Sequence, residues 1–296
     1  MRRRNIGVSV LFILLFLLFL GIMIYPFLAQ IYNESGQKQA SVAYQQDVDA
    51  LPQEKREEEK RKAQEYNARL ATGLGSPIED AFQMTEAEER EEDNGKAPFV
   101  EREYDTLLKT REDGAMGRIE IPRIGADLVI YHGTDSEVLE KGAGHLEGSS
   151  LPVGGESTHT CISAHRGLAG KRLFTDLDQM EVGDIFYLHV LGETLCYQVE
   201  KIYTILPQET KQLSIEKGKD MATLITCTPY GINTHRLCVE GIRIPYDEQA
   251  ALEAQSQAKD RVWMRWMKSW LWLPVSILLT VVMSALVFRY NRRGCE

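Results

Sequence analysis

The chain is 296 residues long, 44% hydrophobic, and carries a formal net charge of −9. Residues 32–260 hold 25 of the 34 basic side chains and 42 of the 43 acidic ones, a balance of −17. So acidic a middle excludes a nucleic-acid binder, because phosphate contacts need clustered Lys and Arg.

In chain order, the first element is Ile6–Ile31, almost wholly apolar and without a charged residue. It exceeds the roughly 20 residues that cross a bilayer as a helix and the roughly 7–15 of a signal-peptide core. Arg2, Arg3 and Arg4 in front of it predict a cytoplasmic N-terminus. A second apolar run covers Leu271–Phe288, with Trp263, Trp266, Trp270 and Trp272 at its start as an interfacial aromatic belt. Two spans with the N-terminus inside leave residues 32–260 outside the cell.

Residues 36–70 are polar, with sparse apolar positions at Val42, Val48, Leu51 and Tyr66. That pattern predicts a helical stalk rather than a core helix, and the charge run Glu54–Lys62 reads as its solvated face. Leu74-Gly75-Ser76-Pro77 ends it. Met84–Lys96 is mostly acidic and predicts a mobile exposed segment. From Asp113 the character changes. Short apolar or alternating runs recur at Met116–Pro122, Leu128–His132, Thr158–Ala164, Asp184–Val190, Thr194–Ile205, Met221–Cys227 and Leu237–Ile244, punctuated by glycines. Seven or eight short strands at this spacing predict a mostly β fold, barrel or sandwich. Short helices are expected at Ser136–Lys141 and Phe174–Met180.

Cys161, Cys196 and Cys238 sit in strand-like runs and read as small buried hydrophobes, with a disulfide between two of them left open. Cys295 lies beyond the second apolar run. Cys227 is different. It ends an apolar strand, and Pro229 prevents the strand from continuing as a central ladder. Arg236 follows nine residues later, at the start of a return strand, so two antiparallel strands would bring both to one end of the sheet. His165 ends the run Thr158–Ala164. A thiol, an imidazole and a guanidinium are a nucleophile, a proton carrier and an oxyanion stabiliser, the parts that acyl transfer through a thioester needs. His132, His145, His159 and His235 read as structural or substrate-facing. Their spacing makes no zinc signature, so no metal and no cofactor are predicted.

Several collinear stretches resemble the sortases, and within them the pilus-assembling class C branch. They are Asp113–Pro122, Ile130–Thr134, Gly144–Thr160 and Cys227–Arg236, with Cys227, His165 and Arg236 matching the family's catalytic cysteine, histidine and arginine. The resemblance implies an eight-stranded β-barrel flanked by two transmembrane helices. It also implies attack of Cys227 on an LPXTG-like sorting signal, His165 as general acid and base, and Arg236 holding the oxyanion. A pilin lysine would resolve the thioester. Class C sortases also carry an Asp-Pro-aromatic lid before the barrel. Here the matching position reads Asp80-Ala81-Phe82, without the proline, and a second candidate, Pro98-Phe99, lacks the Asp. The resemblance implies that Asp80 pairs with Arg236 and that Phe82 packs over Cys227. Cys238-Val239-Glu240 departs from the family, which more often has an apolar residue and a basic one, so Glu240 is expected to alter the charge of the substrate groove.

The expected division is a cytoplasmic tip and first span (1–31), an extracellular stalk and lid segment (32–112), the barrel (113–247), a juxtamembrane linker (248–270), a second span (271–288) and a cytoplasmic tail (289–296). Expected partners are the membrane and surface-protein or pilin precursors bearing the sorting signal. Three other readings stay open: a sortase that anchors proteins to the lipid-linked peptidoglycan precursor, a non-catalytic sorting-signal scaffold, and a cysteine protease that needs only water.

Overall fold

Eight strands between Ala115 and Ile244 close on themselves in the computed structural model, which describes residues 2–74, 78, 80, 82, 103–168, 170–249, 251–253 and 256. They are β1 (Ala115–Ile121), β2 (Ala126–His132), β3 (Ala143–His145), β4 (Thr158–Ser163), β5 (Ile185–Val190), β6 (Glu193–Ile205), β7 (Asp220–Thr228) and β8 (His235–Ile244). The barrel order is β1-β2-β3-β4-β7-β8-β6-β5. Pairing is antiparallel except at β2–β3 and β4–β7, which run parallel.

The two-residue period of the strands decides what lies inside. Ile162, Ala222, Leu224, Leu237 and Val239 point into the main core. Their alternates Cys161, Ile225, Cys227 and Cys238 form a second cluster on the outer face of the same strands. A slip of one residue would exchange the two sets, so the pattern fixes the register. The strand runs expected from the sequence are present. The exception is β3, whose three residues carry no alternation to read. Gly144 makes it possible: a Cβ there would lie 2.3 Å from the Gly133 carbonyl oxygen.

Among the described residues the α-helices beside the barrel include α1 (Arg2–Ala50), α2 (Gln53–Arg69), α3 (Glu103–Thr106) and α4 (Ser136–Lys141). Asp135 caps α4, its carboxylate accepting from the Val138 N–H at 2.8 Å. The helix expected at Phe174–Met180 reduces to a 3₁₀ turn at Leu177–Gln179. Thr175, Leu177, Gln179 and Met180 each bond three residues back, and the Phe174 N–H is taken by the His165 carbonyl.

The predicted stalk is helical, but it lies against the barrel instead of standing clear of it. Tyr44 and Val48 of α1 are buried with Ala115, Val129 and Tyr131, and the Tyr44 hydroxyl donates to the Met116 carbonyl at 3.1 Å. Ala63 of α2 belongs to the main core. Asn67 bonds both backbone groups of Leu151, donating to its carbonyl at 3.0 Å and accepting from its N–H at 2.7 Å. These contacts join residues far apart in the chain, so local polarity could not announce them. Pro52 precedes the second helix as its N-cap after a break at Leu51, because it has no N–H to continue the first.

The backbone of α1 runs without interruption through Ile6–Ile31. Among the described residues no helix is long and apolar enough to cross a membrane. Leu271–Phe288, the acidic Met84–Lys96 segment, Pro98-Phe99 and Cys295 lie outside the described residues.

Candidate active site

Cys227 and Arg236 are direct register partners across β7 and β8. The turn between them closes on Pro229, whose carbonyl accepts from both Ile232 and Asn233. Arg236 is braced by this turn, donating to the Asn233 carbonyl at 3.0 Å. On the other side of β7, β4 runs parallel with Ser163 opposite Ile225. The contact continues past the strand end: the Ala164 N–H donates to the Ile225 carbonyl at 3.2 Å, and Thr226 Oγ1 donates to the Ala164 carbonyl at 2.8 Å. His165, two residues beyond Ser163, therefore leaves β4 level with Cys227, two residues beyond Ile225. Three strand ends deliver thiol, imidazole and guanidinium to one end of the barrel.

Asp80 and Phe82 cover that end. Arg236 Nε donates to Asp80 Oδ1 at 2.8 Å and Nη2 to Oδ2 at 2.6 Å, a bidentate, charge-assisted pair. The Phe82 ring centroid lies 4.9 Å from the Arg236 guanidinium carbon and 5.8 Å from the His165 ring. Phe82 also packs in the outer cluster with Cys227, Ile225, Cys238 and Ile205, with Ile78 beside it. Asp80, Phe82, Cys227 and Arg236 are 6–8% exposed, so the thiol and guanidinium are shielded from solvent, while His165 stays half-buried. The missing proline does not prevent Asp80 and Phe82 from reaching these positions.

Closure sets the electrostatics. Burial pushes the Cys227 thiol up, Arg236 pulls it down, and the Asp80 charge adds to the rise. Burial pushes the His165 imidazole down, and Lys171 adds to that while Glu140 opposes it. Near neutral pH the closed site therefore holds a thiol and a neutral imidazole, which is an unreactive pair.

The other histidines singled out in the sequence have different partners. His132 bridges the Gly114 and Leu107 carbonyls, at 2.8 and 2.7 Å. His145 lies between the Tyr104 hydroxyl and the Ser150 carbonyl, and burial pushes its pKa down to about 4. His159 contacts Thr223 Oγ1 at 2.7 Å and the Ser214 carbonyl at 3.0 Å. His235 stands at the start of β8, its Nδ1 2.9 Å from Thr234 Oγ1. Cys161, Cys196, Cys227 and Cys238 are all buried and free, which removes the disulfide left open above. Glu240 does not present a bare charge to a groove. It is 4% exposed and accepts from Lys201 Nζ at 3.2 Å and the Tyr203 hydroxyl at 3.1 Å. Among the described residues no group of three or more His, Cys, Asp or Glu could hold a metal ion.

One support escaped the sequence. Arg166, next to His165, donates to Thr228 Oγ1 at 3.3 Å, pairs with Asp178, and lies 5.9 Å from the Tyr230 ring. Gly167 has φ +82, and a Cβ there would meet the Tyr230 ring at 2.9 Å. The His-Arg-Gly spacing was visible, but its partner Tyr230 is over sixty residues away and became apparent only in the fold.

Comparison with known proteins identifies the family of the chain. The sortase domain family matches residues 119–244. Sortase D of Bacillus subtilis (strain 168) is 32% identical over 123 residues, covering 42% of this chain and 59% of that protein. The match thus spans about three-fifths of that curated relative's length. The crystal structure of Streptococcus pneumoniae sortase C is similar at 44% identity and a TM-score of 0.61, covering 70% of this chain and 97% of the other. Sortase C-1 of Actinomyces oris is similar at 42% identity and a TM-score of 0.58, with coverage of 65% and 99%. With nearly the whole of two solved class C structures matched above 40% identity, this chain belongs to the sortase family, in its class C branch.

Proposed function

We propose that the chain is a membrane-anchored cysteine transpeptidase that joins a sorting-signal-bearing surface protein to a lysine of a pilin subunit. The observation that carries this reading is the convergence of Cys227, His165 and Arg236 at one barrel end, beneath a carboxylate that fills the guanidinium fork.

In this mechanism substrate displaces Asp80 and Phe82, which frees Arg236 and rehydrates the thiol. The Cys227 proton passes to His165. The sulfur attacks the carbonyl carbon of the Thr–Gly bond in an LPXTG-like signal, and Arg236 donates to the developing oxyanion. Collapse breaks the C–N bond, and His165 returns its proton to the leaving amine. A lysine ε-amine then attacks the thioester, forming an isopeptide bond and restoring the thiol. The acyl group stays activated throughout without a nucleotide.

Support for pilin as substrate comes from the class C relatives, one of which is described for its pilin substrate specificity. Support for anchoring comes from the apolar run Ile6–Ile31 on one unbroken helix and from the exposure of Leu14, Leu15, Leu17, Leu18, Ile22 and Leu28 along it. In the same reading residues 271–288 make a second span, and residues 32–260, with the barrel at 113–247, lie outside the cell.

The test is product analysis with the full chain, an LPXTG-type peptide, and either a pilin-like lysine peptide or a peptidoglycan cross-bridge amine as acceptor. An isopeptide with the lysine acceptor supports pilus assembly. Selective transfer to the cross-bridge amine would instead assign the chain to cell-wall anchoring, and hydrolysis alone to a protease.

A further inference from the structure

A cleft of about 390 Å³ separates α1 from the barrel, away from Cys227. Asn33 and Lys38 line it from α1, Asp127 from β2, and Lys171, Arg172 and Asp176 from the segment after His165. Its α1 wall begins two residues beyond the apolar run that ends at Ile31. At 1.5 Å per residue, Asn33–Lys38 stands about 3–10 Å past that end. The head-group layer of a bilayer is about 5–8 Å thick on each side. The cleft therefore opens at head-group depth.

Its charges are unevenly matched. Glu34 accepts from Gln30 at 2.7 Å, Asp127 from Arg118 at 3.1 Å, and Asp176 pairs with Arg172. Among the described residues Lys171 donates to a backbone carbonyl, that of Glu140, at 2.6 Å. Neither Lys38 nor Lys171 has a carboxylate partner among the described residues. Asp127 and Asp176 are each paired with an arginine and Glu34 is held by a neutral amide, so two ammonium groups outnumber the one carboxylate whose charge is not paired among the described residues.

We propose that this cleft binds the phosphate of an anionic membrane-lipid head group, with Lys38 and Lys171 as its cationic contacts. The proposal rests on the anchoring of α1 read above. A head group here would touch both α1 and the segment that follows His165. The two walls are already joined, since Asn33 Nδ2 donates to the Gly170 carbonyl at 2.8 Å. Lipid contact would thereby hold the His165 side of the site at a fixed height and tilt above the membrane.

The test uses the full-length chain in detergent, titrated with phosphatidylglycerol and followed by native mass spectrometry. Retention of one lipid is expected, weakened about 30-fold in Lys38→Gln/Lys171→Gln, since each juxtamembrane cation contributes roughly fivefold. The Lys38→Arg/Lys171→Arg chain should keep the affinity. Equal retention by the glutamine variant overturns the proposal. So does equal retention of phosphatidylcholine, or displacement by inorganic phosphate at the lipid's own concentration, which would make the site one for free anions. Carbonate extraction of cell membranes separates the two levels. A chain that washes off refutes the anchoring itself, whereas one that stays and holds lipid without the lysines refutes only the cleft.

Discussion

The guanidinium of Arg236 is held at both ends of its fork by the carboxylate of Asp80, at 2.8 and 2.6 Å, with both side chains buried. Arg236 is also the register partner of Cys227 across β7 and β8. In the proposed mechanism the chain's own acid occupies the donors that a substrate carbonyl or its oxyanion would need, so closure would compete with substrate.

Replacing Asp80 should therefore activate the enzyme. Removing one partner of a buried pair costs about 3–5 kcal/mol where the other charge stays buried. Arg236 can instead rehydrate once the lid swings away, so the cost falls on the closed state. Asp80→Ala is expected to raise kcat/KM for a fluorogenic LPXTG-type peptide by about tenfold, equivalent to about 1.4 kcal/mol of closure lost. An unchanged rate would mean that the lid opens freely in the native chain.

Phe82 supplies burial to Cys227, and burial is what raises its thiol. In Phe82→Ala the thiol pKa should fall towards its ordinary value, with Arg236 adding to the drop. The sign is then fixed: more thiolate at pH 7, faster alkylation by iodoacetamide, and a pH–rate midpoint moved to lower pH. A midpoint that stays in place while the rate rises would assign Phe82 a steric role alone.

Arg236→Lys keeps a charge but loses the planar fork. Peptide-driven acylation should drop about 10²–10³-fold, the range for loss of an oxyanion donor. Iodoacetamide alkylation, which develops no oxyanion, should not fall with it. Parallel loss in both assays would place Arg236 in the activation of the thiol instead.

Asn67 ties α2 to the barrel through two buried hydrogen bonds to Leu151. Asn67→Ala leaves that N–H and carbonyl unpaired and should destabilise the folded chain by about 2–3 kcal/mol. Urea unfolding with an unchanged midpoint would show that water replaces the amide at no cost.

Much of the barrel was legible because period-two alternation survives in single strands: Leu237, Val239 and Gly241 alternate with Cys238 and Glu240 along β8. The Cys227–Arg236 juxtaposition was legible for the same reason, their nine-residue offset fitting two strand ends and a turn. The parallel pairings β2–β3 and β4–β7 left no local trace, and β3 is too short to carry a pattern. The docking of residues 36–70 was not legible because Tyr44, Ala63 and Asn67 are isolated positions in an otherwise polar stretch. Their meaning comes from β1, the barrel core and Leu151, all distant in sequence. Glu240 looked like a groove charge because neither Lys201 nor Tyr203 is near it in sequence.

The central claim is that Cys227 forms a thioester with the sorting signal. Intact mass spectrometry of the full chain, wild type and Cys227→Ala, after incubation with an LPXTG-type peptide tests it most directly. The account predicts an adduct of the peptide's N-terminal fragment, ending at Thr, on the wild type alone and enriched in Phe82→Ala. Bound peptide with no covalent adduct in either wild type or Phe82→Ala would contradict it and leave the barrel as a binding scaffold.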